Sequence, residues 1–159
     1  MTEDGSETVP IASAFGLSHG EQLLLWSLRR LATQGHPSPL VTREFTDACG
    51  ADAAEVLTTF RAFLGVLAFG GRRRLSVGHP GCLQLTCDER RLLSLIAIAQ
   101  DGDDAWLDAH LCWLVRGELK RQLALAARAL AAELADHDLR LPLPGQVARG
   151  RAAPATAAI

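Results

Sequence analysis

The sequence predicts a mainly α-helical domain that carries one short β-hairpin in its first half and closes with two or three packing helices. Three observations lead there. Apolar residues recur at helical spacing in several segments. Acid-containing capping-box spacings mark helix starts at Ser18 and Glu21, at Asp52 and Glu55, and at Thr86 and Glu89. Ahead of the third lie two short alternating runs, residues 72–77 and 82–86, joined by Gly78, Pro80 and Gly81.

Composition sets the outer limits. The 159 residues suit one domain with a real core, and 48% hydrophobic against 21% charged residues fits a globular chain. A net charge of −2 gives no global pull toward nucleic acid or an anionic membrane, so any such site must be a local patch. The first residues are acidic and lack the basic start and apolar run of a signal peptide. The richest apolar run, residues 92–99, is short and interrupted by Ser94. These features predict a cytoplasmic protein with no membrane association, and four reduced cysteines.

In chain order, residues 1–16 read as a flexible leader, residues 17–141 as a single helical domain and residues 142–159 as a flexible tail. Ser18 opens a helix striped by Leu24, Leu28 and Leu31 and stopped at Gly35. Thr42 is the expected cap of a short second helix carrying Phe45 and Ala48, which Gly50 breaks. Asp52 then opens a longer helix with Val56, Leu57, Phe60, Leu64 and Leu67 on one face. After the hairpin, which completes a first half over residues 17–86, the second half (residues 87–141) forms a helical companion layer. Its first helix, with Leu92, Leu93, Leu95, Ile96 and Ile98, is apolar almost all round and so central. A helix carrying Trp106, Leu107, Leu111 and Trp113 follows. Beyond Gly117 comes a last helix whose narrow stripe of Leu119, Leu123, Leu130 and Leu134 suits one neighbour or a second copy of the chain.

Around Gly50, apolar Phe45, small Thr46 and apolar Val56 between two helices resemble the helix-turn-helix signature. With the following ribbon, residues 18–86 resemble the winged helix-turn-helix superfamily. The resemblance implies a DNA-reading helix over residues 52–69, with Arg72, Arg73, Arg74 and His79 as the wing. Arg90 and Arg91, just past the hairpin, would enlarge the basic patch.

The surface of that helix suits another ligand. Projection at about 100° per residue places Glu55, Thr58, Ala62, Gly65 and Phe69 opposite the apolar stripe. Acids at the helix start repel phosphate, whereas small residues beside an exposed aromatic permit close protein packing. DNA is therefore the less favoured partner.

His79, Cys82 and Cys87, with His110 and Cys112 beyond them, have spacings that a tetrahedral metal site could use, but no paired Cys-x2-Cys motif supports it. Cys82 and Cys112 read as buried small hydrophobes, and His137 as a helix-end residue on the leucine stripe. No phosphate-cradling loop, nucleophile elbow or metal-hydrolase helix pair is present. The combined expectation is a non-enzymatic regulatory or adaptor module without cofactor or metal. It would bind a protein partner through Glu55, Thr58, Ala62, Gly65 and Phe69, and could self-associate as a homodimer through the last helix. The alternatives are a DNA-binding transcriptional regulator using Arg72, Arg73, Arg74, Arg90 and Arg91, and a metal- or thiol-responsive version of either.

Overall fold

Helices begin where a side chain can take up the amides that a first turn leaves open. The computed structural model describes residues 14, 16–35 and 38–146 and places helices α1 (His19–Gln34), α2 (Pro39–Cys49), α3 (Ala53–Gly70), α4 (Cys87–Asp101), α5 (Asp104–Leu114) and α6 (Gly117–Asp136). Two of the three anticipated capping boxes form. Ser18 and Glu21 open α1, and Thr86 and Glu89 open α4. Asp52 does not cap α3: it sits in a 3-10 turn (Gly50–Asp52) with right-handed helical backbone, whereas a capping side chain needs an extended one. Its carboxylate instead faces His137 Nε2 at 3.3 Å, at the far end of α6.

The start of α2 also differs from expectation. Ser38 rather than Thr42 caps it, with Pro39 in the first turn, where its missing N–H costs nothing. Gly35 ends α1 with φ 69° and Gly50 ends α2 with φ 59°, both in a region where glycine is unstrained.

The packing puts α4 at the centre, with Leu95, Ile96 and Ile98 fully buried. Helix α3 lies along α6 over the most extensive interhelical contact, and α2 folds back on α3 with Phe45 and Phe60 rings 5.9 Å apart. The narrow stripe of α6, Leu123, Leu130 and Leu134 with Ala127, is buried inside this chain against α3, α4 and α5. Beyond α6, Leu139 and Leu141 are buried and Gln100 of α4 pins them. Its Nε2 donates to Leu139 O at 3.0 Å, and its Oε1 accepts from Leu141 N at 2.8 Å. The expected leader and tail lie outside the described residues, apart from residues 14, 16 and 142–146, of which Ala14 and Leu143 pack on the core. Taken as one run, Pro39–Gly70 is long and apolar enough to cross a membrane. Part of that apolarity is the core face and part the outward Ala54, Ala62, Ala68 and Phe69.

The expected β-hairpin, and with it the wing, is absent: no strand occurs among the described residues. The reason lies in where the backbone groups of the segment go. Instead of pairing arm to arm, they bond to side chains and to other elements. Ser76 N donates to Asp88 Oδ2 (2.7 Å), Gly78 N to Glu89 Oε1 (2.8 Å) and Thr86 N to Glu89 Oε2 (2.8 Å). The carbonyls of Cys82 and Gln84 accept from the Arg29 guanidinium at 2.5 and 2.8 Å, and Ser76 O accepts from the Thr86 hydroxyl at 2.6 Å. At the start of the segment, Gly71 forms a lone antiparallel bridge with Val115, past the end of α5. With arms of at most six and five residues, 72–77 and 82–86, a free two-stranded hairpin would be marginal. Side-chain anchors win.

The strongest anchor is the pair Arg29–Glu89, with Nε to Oε1 at 2.7 Å, Nη2 to Oε2 at 2.9 Å and side chains 3% and 0% exposed. Burial pushes the Glu89 pKa up, but Arg29 and the amides of Thr86 and Gly78 outweigh it and leave the carboxyl below its ordinary value. Asp88 is also held low, chiefly by its hydrogen bonds from Arg73. Glu21 is shifted the other way, because burial outweighs its hydrogen bonds with Ser18.

Removing one partner of such a buried pair leaves an uncompensated charge. Glu89→Gln is therefore expected to lower the unfolding free energy by about 3–5 kcal/mol at neutral pH, read from urea denaturation. Depressed carboxylates give stability that is present above their unfolded pKa of about 4 and is lost as pH falls through the folded value. Glu21 has the opposite sign, contributing below that pKa and losing its contribution as pH rises. The acid limb of the stability profile should thus be shallower in Glu89→Gln, and a wild-type denaturation midpoint would show that the pair is not structural.

Candidate functional site

The five residues expected to bind protein, Glu55, Thr58, Ala62, Gly65 and Phe69, are all exposed along α3. Helix α6 packs on the other side of α3. The Thr59 hydroxyl donates to Glu133 Oε1 at 2.9 Å, and Gly70 meets Leu119 so closely that an added Cβ would lie 3.1 Å from the leucine Cβ. The last helices therefore leave the outward face of α3 open. Phe69 is 88% exposed near its C-terminal end. Trp113, 77% exposed, stands near the end of α5, which the Gly71–Val115 bridge joins to the end of α3.

The basic residues divide by task. Arg72 Nε donates to Cys112 O (2.9 Å) and Val115 O (3.1 Å), so this guanidinium caps the end of α5. Arg73 grips Asp88 with two hydrogen bonds, at 2.8 and 2.6 Å, and Arg91 reaches the same carboxylate at 3.5 Å. Arg90 lies against Cys87 Sγ at 3.5 Å. Arg74 has no side-chain partner among the described residues, and neither does Arg61. The set thus splits between structural anchors and free cations.

Arg61, Arg73 and Arg74 come together on a feature that sequence reasoning missed. A groove of about 690 Å³ runs between α1, one side of α3 and residues 71–75. Leu28 and Leu31 of α1, Leu64 of α3 and Leu75 give it an apolar wall, and the three arginines are its only charged lining among the described residues. It shares Gly65 with the anticipated protein-binding face, and Arg73 and Arg74 with the basic set. The local signal was present in sequence: Arg61, Gly65 and Ala68 fall on one side of a helix by their spacing. Its opposite walls, Leu28 and Leu75, come from distant segments that only the fold brings near.

A second hollow, about 490 Å³, lies between α1 and residues 80–83, with Ala14, Leu17 and Trp26 in its lining. Trp26 carries the Arg30 guanidinium 4.5 Å above its ring.

The cysteines correct another expectation. Cys82 and Cys112 are exposed rather than buried, as is Cys87, and only Cys49 lies in the core, where burial pushes its thiol pKa up. Cys82 faces outward because the strand whose apolar phase would have buried it does not form. Cys112 lies on the outer side of α5, whose inward positions are Leu107, Leu111 and Leu114. No group of three or more His, Cys, Asp or Glu side chains placed to hold a metal occurs among the described residues.

Two glycines beside the groove separate open space from close packing. At Gly65 an added Cβ meets nothing within 4 Å, so Gly65→Ala should raise stability by about 0.5–1 kcal/mol through helix entropy. At Gly71 a Cβ would lie 2.7 Å from the Leu67 carbonyl oxygen, so Gly71→Ala should lower stability by about 1–3 kcal/mol. Thermal denaturation of the two variants should move in opposite directions.

No family model, curated protein or solved structure matches the chain at a significant level, so the meaning of the groove rests on its own residues.

Proposed function

We propose that the chain is a non-enzymatic regulatory or adaptor module that works by binding another protein across the outward face of α3. One observation carries the reading: α3 keeps a row of small residues and a fully presented Phe69 outside, while its opposite side is consumed by α6. An exposed aromatic is the kind of anchor enriched in interface cores, and Ala62, Gly65 and Ala68 beside it leave room for close backbone approach.

The ionisable groups support the same reading. The carboxyls displaced from their ordinary pKa, Glu21, Asp88 and Glu89, each hold a helix start or the 71–86 segment. Their perturbation is accounted for by architecture, without a reacting group.

The test is partner capture with the full chain, followed by identification and reconstitution of the captured protein. Phe69→Asp and Ala62→Arg should each weaken the reconstituted complex at least about tenfold, corresponding to the loss of a central contact. Both positions are exposed, so thermal stability should stay near wild type. Undiminished binding by both variants would refute the site.

A further inference from the structure

We propose that the groove between α1, α3 and residues 71–75 receives an acidic, amphipathic segment of the partner protein. This rests on the protein-contact reading above and adds the chemistry of the bound segment.

Charge and shape select the occupant. Among the described residues, the charged groups lining the groove are all guanidinium, from Arg61, Arg73 and Arg74, with no Asp or Glu beside them. Arg73 is committed to Asp88 but stays 57% exposed, while Arg61 and Arg74 have no side-chain partner among the described residues. A fork of free donors beside an apolar wall matches carboxylates flanking an apolar stripe. The groove opens to solvent between α1, α3 and residues 71–75, so a peptide segment can enter it with apolar anchors on the leucines. Gly65, with open space above it, lets that segment's backbone come near. Nucleic acid fits less well: among the described residues the lining includes no aromatic side chain on which a base could stack, and the leucines would face a hydrated backbone.

The experiment titrates the full chain into three fluorescein-labelled peptides of about five helical turns, read by anisotropy. One carries leucine at helical spacing with glutamate elsewhere, the second replaces glutamate by lysine, and the third scrambles the first. The expected result is binding of the acidic amphipathic peptide alone, weakening with added salt. Arg61→Glu combined with Arg74→Glu should reduce its affinity at least about tenfold. Gly65→Leu, which fills the groove without changing charge, should do the same while the helical circular dichroism stays intact.

Equal binding of the lysine or scrambled peptide would overturn the proposal, as would affinity unchanged by the variants. Displacement by dodecanoate at equimolar amounts would assign the groove to a small anionic amphiphile instead. A rise in affinity on removing residues 1–13 would assign it to the chain's own acidic start, and a dimer in sedimentation that Gly65→Leu dissociates would assign it to a second copy. Failure of all three peptides to bind would sink this inference while leaving the Phe69→Asp result standing, so the two readings fail separately.

Discussion

The described structure depends on one buried ion pair. Arg29 on α1 and Glu89 on α4 are 60 residues apart, and their bond fixes more than the two helices that carry them. The guanidinium also holds the carbonyls of Cys82 and Gln84, and the carboxylate holds the amides of Gly78 and Thr86. Two side chains thus satisfy four backbone groups of a segment with no strand of its own. Burying a charged pair is seldom a net gain over an apolar one. Here it supplies directional bonds, which a leucine pair could not, to a stretch that must cross the surface in one conformation. Gly78 shows how closely the segment is seated, since a Cβ there would lie 3.1 Å from the guanidinium.

Much of the helical frame was legible in the sequence because its determinants are local. Ser18, Glu21, Thr86 and Glu89 cap as their spacing predicts, and the apolar run from Leu92 to Ile98 is central. What failed was non-local or conformational. The alternation of residues 72–77 and 82–86 is compatible with strands, but nothing local reveals that Asp88 and Glu89 will claim the amides first. Asp52 has the right side chain for a cap and the wrong backbone, because the turn at Gly50 runs straight into α3. Cys82 and Cys112 depart from expectation for related reasons: alternation buries Cys82 only in a strand that does not form, and the apolar average of α5 hides that Cys112 lies on its outer side.

The candidate site follows the same division. The outward row of α3 could be projected from helical periodicity, and those residues are exposed as projected. The groove beside it could not, since Leu28 comes from α1 and Leu75 from the pinned segment. Arg73 joins the two levels. Its grip on Asp88 ties the segment to the start of α4, and its exposed remainder lines the groove. A substitution there would disturb both the seating of the loop and the charge of the groove.

This double role determines which arginines can report on binding. A ligand carboxylate approaching Arg73 must share a guanidinium already neutralised by Asp88, so its gain is the difference between two similar bonds. Arg61 and Arg74 carry no such partner among the described residues, and an arriving carboxylate exchanges only water there. Burial of apolar surface against Leu28, Leu31 and Leu64 then holds what the charges attract, and excluding water strengthens each ion pair at the rim. Helix α3 is therefore divided by its own periodicity: one side anchors the core against α6, and another, next to the outward row, borders an apolar hollow edged with free positive charge.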